Sequence, residues 1–113
     1  MCGLGVSDIR LASKLWIDAH IRACFGKGLP AFVLHKGDAE RGGIIIKVDR
    51  FDEGILIFER TTTFEGETVW ASRGVETGMD TPTAQAIIDK RLKFDGDCWI
   101  IEIEDLKGVY CLD

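Results

Sequence analysis

The sequence predicts an α+β fold: a mostly antiparallel sheet of five or six strands with two helices packed on it. Three observations carry that expectation. Short apolar blocks rich in isoleucine, such as GIIIKV and CWIIEI, recur between glycine turns and never exceed strand length. Two longer segments, around residues 14–25 and 81–94, place apolar residues at helical spacing. The 113 residues, 46% apolar and 29% charged, suit one globular domain with its own core. Residues 1–113 are therefore read as a single domain, whose helices either share a sheet face or take one each.

Taken in order, Ser13 can cap a first helix from about Lys14 to Phe25, and Gly26 and Gly28 stop it. Trp16, Ile17, His20, Ile21, Ala23 and Cys24 fall on one side of that helix, with Lys14, Asp18 and Arg22 on the other. His20 thus lies amid an apolar face. Pro30 opens the strand AFVLHK, the loop GDAERGG follows, and GIIIKVDR is the second strand. ILIFERTTTF and ETVWAS continue in the manner of a meander. RGVETGMD is polar and irregular, a surface connection of the kind that often carries binding residues. In TPTAQAIIDKRLKF, Thr81 reads as the N-cap and Pro82 as the first helical residue, with Ala84, Ile87, Ile88 and Leu92 as the buried stripe. CWIIEIED and the short segment VYCLD close the chain.

Charge and composition exclude several function classes. The net charge is −5, split between residues 1–50 (eight basic, five acidic) and residues 51–113 (six basic, fourteen acidic). An acidic chain repels a phosphate backbone, so nucleic acid is not an expected partner. The split instead suits docking of two copies, basic region to acidic region, and a homodimer is the expected assembly. No apolar run approaches the roughly 18 residues of a membrane span, and MCGLGVSDIR lacks the pattern of a signal peptide, which points to the cytoplasm. Cys2, Cys24, Cys98 and Cys111 are expected to be reduced thiols. With no CxxC pair, neither a structural metal nor a cofactor is expected.

Five residues are candidates for binding. Asp38 lies in a glycine-flanked loop, but carboxylates repel phosphate and no Walker or dinucleotide pattern is present, so a turn capped by Asp38, with Gly42 and Gly43 at positive φ, is the simpler reading. In WIIEIE, alternation sets Trp99, Ile101 and Ile103 against Ile100, Glu102 and Glu104. Same-face neighbours are roughly 7 Å apart, compatible with paired carboxylates or with cross-strand ion pairs. Lys47 is on the opposite face from Ile44, Ile46 and Val48, where it can meet those glutamates. Arg91 lies among Ile87, Ile88 and Leu92 and has Asp95 at i+4. His20 and Cys24 share an i, i+4 spacing, but two ligands do not close a zinc site, and a core imidazole bonded to backbone fits better. Asp105-Leu106-Lys107 imitates an acid-x-lysine nuclease element, yet sits at a turn. No nucleophile elbow, HExxH helix or triad is present, and Ser7, Ser13 and Ser72 have no context that marks a nucleophile.

GDAERGGIIIKV, together with Asp95, Asp97, Trp99, Glu102, Glu104, Asp105, Leu112 and Asp113 of the C-terminal block, resembles an alphaproteobacterial family catalogued as domain of unknown function 1491. The resemblance covers nearly the full length, although RTTTFEGETVWASRGVETGMD contributes nothing to it. It implies a compact α/β domain in a bacterial cytoplasm and transfers no activity. The leading expectation is a non-enzymatic binding or assembly module. The alternatives are a metal-dependent hydrolase built on Asp38, Lys47, Glu102 and Glu104, and an anion or nucleotide sensor using Arg91 and the 36–43 loop.

Overall fold

The computed structural model describes residues 12–62, 65, 68–74 and 77–112, so the readings on Cys2, Ser7 and Asp113 lie outside the described residues. The elements run α1 (Ser13–Gly26), β1 (Ala31–His35), β2 (Ile44–Asp49), a 3-10 turn (Phe51–Glu53), β3 (Ile55–Thr62), β4 (Thr68–Arg73), α2 (Thr81–Phe94) and β5 (Trp99–Glu104). Residues 109–112, the described part of VYCLD, add no strand. The five strands lie in the order β1-β5-β2-β3-β4.

The sheet is mixed, not mostly antiparallel. β1–β5, β2–β3 and β3–β4 are antiparallel, but the central pair β2–β5 runs parallel, with Ile44 opposite Trp99 and Lys47 opposite Glu102. Glycine turns report only the hairpin meander β2-β3-β4. α2 then carries the chain back across the sheet, and such a crossover lets β5 enter between β1 and β2 in the direction of β2.

Alternation gives each sheet face its own core. Ile44, Ile46, Val48, Trp99, Ile101 and Ile103 cluster with Ile17 and Cys24 of α1. Ile45, Ile55, Ile57 and Ile100 cluster with Ala84 and Ile88 of α2. β2 contributes to both clusters, which is why it reads as an unbroken isoleucine block.

Both expected helix caps shift by one residue. Asp80, not Thr81, caps α2, its carboxylate accepting from the Thr83 amide at 2.8 Å. The Thr83 side chain and its backbone amide both bond this carboxylate and hold its pKa below the ordinary value. Ala12 occupies the α1 N-cap and makes no side-chain bond. Ser13 is instead fully buried inside the helix, donating its hydroxyl to the Gly42 carbonyl at 2.5 Å and accepting from Arg60 Nη2 at 3.2 Å.

Those bonds explain the glycine-rich loop 36–43. β1 and β2 flank β5, so this loop must pass the beginning of β5. The Asp38 amide donates to the Asp97 carbonyl, and the Trp99 indole donates to the Asp38 carbonyl. The Ala39 and Glu40 carbonyls accept from Lys14 and Ser13, serving the α1 N-terminus that no side chain caps. Gly37 and Gly42 are glycines because a Cβ at either would collide with the Asp97 carbonyl. Close approach, rather than the positive φ expected at Gly42 and Gly43, is what requires the small residue.

The expectation of four reduced cysteines is also corrected. Cys24 and Cys98 are free and buried, but Cys111 is disulfide-bonded. Spacing along the chain does not report which segments fold together, and a sulfur bond depends on that proximity.

Candidate functional site

The polar candidates gather on the α2 face, where strand register sets them in rows. Phe32, Glu102, Lys47, Ile57 and Arg73 lie side by side across all five strands. The next row contains His35, Ile100, Ile45, Glu59 and Ala71. Lys47 is buried, and its Nζ lies 3.4 Å from the half-buried Glu102 carboxylate. The expected meeting of Lys47 with a glutamate therefore occurs. Glu104, two residues on, pairs in register with Asp49 and takes part in no ion pair among the described residues.

Asp38 does not join them. Its carboxylate accepts from the Glu40 and Arg41 amides, at 3.2 and 2.7 Å, and so closes its own turn. Asp105 is likewise structural: it is buried, and its two oxygens accept from the amides of Val109 and Tyr110. No group of three or more metal-ligating side chains assembles among the described residues.

Arg91 has a partner that sequence reasoning missed. Its Nη2 stands 2.6 Å from Oε2 of Glu59, and Asp95 is a more distant neighbour at 3.9 Å. Glu59 is 4% exposed, and its Oε1 accepts from Arg73 Nε at 2.8 Å. Two arginines from α2 and β4 therefore hold one buried carboxylate from β3. The signal for Glu59 was present, since ILIFE continues the inward alternation of Ile55 and Ile57. Arg73 could be placed only with the β3–β4 register, which sets it opposite Ile57. Against these charges lies Cys98, whose burial raises its thiol pKa more than Arg91 lowers it. A protonated, fully buried thiol is no nucleophile.

On the other face, His20 is bonded to a side chain, the Tyr110 hydroxyl. Its ring stacks on Trp16 at 4.5 Å, and its Nε2 lies 2.6 Å from the Tyr110 hydroxyl. Cys24 is buried, which raises its thiol pKa too. Of the i, i+4 pair, Cys24 belongs to the core and the half-buried His20 borders it.

β1 is the remaining unusual feature. It is an edge strand, yet Phe32, Val33 and Leu34 are 44, 37 and 50% exposed. Large apolar side chains on a sheet edge, next to unpaired backbone groups, form a surface suited to pairing with another strand.

The family described as "Protein of unknown function (DUF1491)" matches residues 11–113. A crystal structure of a DUF1491 family protein from Caulobacter crescentus is 30% identical, with a TM-score of 0.76, covering 91% of this chain and 99% of that one. An NMR structure of a DUF1491 family protein from the same organism gives 30% identity and a TM-score of 0.77, over 93% and 98% of the two chains. A solution structure of an A. tumefaciens protein is 25% identical, with a TM-score of 0.75 and coverage of 86% and 87%. No curated protein matches.

Proposed function

The chain belongs to the DUF1491 family, and from that premise we propose that it is a non-enzymatic assembly module of the bacterial cytoplasm that pairs with a second copy of itself through β1. The observation that carries this reading is the run Phe32-Val33-Leu34, exposed along a sheet edge. Edge strands are ordinarily protected by charge, and residues 28–35, GLPAFVLH, contain no Lys, Arg, Asp or Glu.

The strand is self-complementary. Antiparallel pairing of two β1 strands about Val33 sets Phe32 opposite Leu34 in both directions. It also brings Lys36 of each copy opposite Pro30 of the other. The Pro30 carbonyl accepts from the Glu104 amide, so each lysine would approach an acidic residue of the second copy. Phe25 and Leu106, 57 and 73% exposed, neighbour the start of β1 in chain and space and extend the apolar surface. A stable interface needs about 800 Å² per partner, which asks for these flanking residues as well as the strand.

The hydrolase alternative has less support. Lys47 neutralises Glu102, Asp38 is committed to its turn, and no third carboxylate joins them among the described residues.

Sedimentation equilibrium tests the proposal. A mass of twice 12.5 kDa is expected for the native chain, falling to 12.5 kDa in Val33→Lys/Leu34→Lys with the circular dichroism unchanged. A native chain that stays at 12.5 kDa up to about 100 μM, or a dimer indifferent to the substitutions, overturns it.

A further inference from the structure

At the opposite sheet edge from β1, a groove of about 510 Å³ opens between α2 and β3–β4. Glu59, Arg73, Lys90 and Arg91 supply its charge, and Ile87 and Phe94 supply apolar wall. Three cations face the Glu59 carboxylate, and with Asp95 3.9 Å from Arg91 just outside the groove a surplus of one positive charge remains, on a chain whose net charge is −5.

The hydrogen bonding points the same way. Arg73 engages Glu59 through Nε alone, and its other guanidinium donors make no protein hydrogen bond among the described residues. Arg91 Nη2 stands 2.6 Å from Glu59 Oε2 in a geometry too poorly aligned to count as a hydrogen bond, so that both this carboxylate oxygen and the buried Arg91 Nε lack a hydrogen-bond partner among the described residues. A buried donor without a partner costs free energy unless water, an ion or a ligand supplies an acceptor. Two guanidinium groups converging on one point form the fork geometry that matches carboxylate and phosphate oxygens. Glu59 fits this arrangement as an internal anion that keeps both arginines in place.

We infer that this groove binds a small organic anion, a carboxylate or phosphate group on an apolar body, with Arg73, Arg91 and Lys90 holding the anion. Ile87 and the 78%-exposed Phe94 provide the surface for the body. A purely structural triad would account for the two short Glu59 contacts, but not for Lys90, the apolar wall and the surplus donors around one open volume. The inference is independent of pairing through β1, because it concerns the other edge.

Calorimetric titration with inorganic phosphate, benzoate and AMP tests it, on the native chain and on Glu59→Gln, Lys90→Gln and Arg73→Gln. Phosphate alone reads the anion site, whereas benzoate and AMP read whether an apolar body adds affinity. Binding of at least one probe is expected, weakened about tenfold by Lys90→Gln or Arg73→Gln and by raised salt. Glu59→Gln removes the internal competitor, so it should tighten binding several-fold even though it lowers stability. A structural role for Glu59 cannot produce that opposite sign. If Glu59→Gln fails to fold, the exposed substitutions Lys90→Gln and Arg73→Gln decide alone. No heat with any probe at about 10 mM, or binding that neither Lys90→Gln nor Arg73→Gln weakens, overturns the inference.

Discussion

The two faces of this sheet solve burial in different ways. The α1 face is closed almost entirely by apolar contact: six inward side chains of β2 and β5 meet Ile17 and Cys24. Apart from the buried Ser13 hydroxyl, which bonds Gly42 and Arg60, its polar groups sit at the margin, where His20 stacks on Trp16 and bonds Tyr110, and Arg60 lies over the Trp16 ring at 5.9 Å. Burial pushes the Arg60 guanidinium pKa below its usual value. The α2 face places charge among its isoleucines, with the Lys47–Glu102 pair and the Arg73–Glu59–Arg91 triad on the same surface as Ile45, Ile57 and Ile100. Apolar burial stabilises without directional demands, whereas buried charge is tolerated only when geometry supplies a partner. The first face holds the fold together, and the second carries the groups with chemistry to offer.

Substitutions can sharpen or break that contrast. The largest effect belongs to the apolar face: Ile101→Ala, at a fully buried position, should cost about 4 kcal/mol in urea unfolding, through lost transfer energy and a residual cavity. On the charged face, Arg73→Gln and Arg91→Gln should each cost about 1 kcal/mol, because the other arginine still holds Glu59. The double variant should cost about 3 kcal/mol, more than the two singles together, since it strands a buried carboxylate. Additive costs in that cycle would show that Glu59 does not couple the arginines.

The Lys47–Glu102 pair should be dispensable for stability. Lys47→Met/Glu102→Leu is expected within about 1 kcal/mol of the native chain by thermal unfolding, while Lys47→Met alone is worse than the double. A double variant that unfolds readily would mean the pair has an essential structural role. The smallest effect lies at the α2 cap. The pKa of Asp80 is lower in the folded chain than its ordinary 3.8, so the folded state favours the ionised form. Its contribution is complete above the unfolded value and lost as pH falls through the folded one. Asp80→Ala should therefore lower stability slightly at neutral pH and flatten the acid limb of the stability profile. An acid limb unchanged by the substitution would remove Asp80 from that account.

Much of this was legible because it is local. Alternation in IIIKV and WIIEIE placed Lys47 and Glu102 on a common face, and the parallel register then brought them together. Pro82 and the stripe Ala84–Ile88 marked α2 to within a residue, although Asp80 took the capping role given to Thr81. Arg91 was singled out, but its principal partner was sought at i+4, the only neighbour that a helix guarantees. Glu59 is 32 residues away in the chain and reaches Arg91 only after β3 has entered the sheet.

Local sequence specifies the two helices, the strand blocks of β2 and β5, and which of their side chains share a face. These follow from side-chain period, turn chemistry and caps, which act over a few residues. The entry of β5 between β1 and β2 is instead a property of the whole packed chain. That choice made the central pair parallel and left Phe32, Val33 and Leu34 on an exposed edge. It also fixed which distant groups share the α2 face. Such pairings are set by the free energy of closing long loops against the apolar surface each arrangement buries, a balance struck over the whole chain that no short stretch of residues contains.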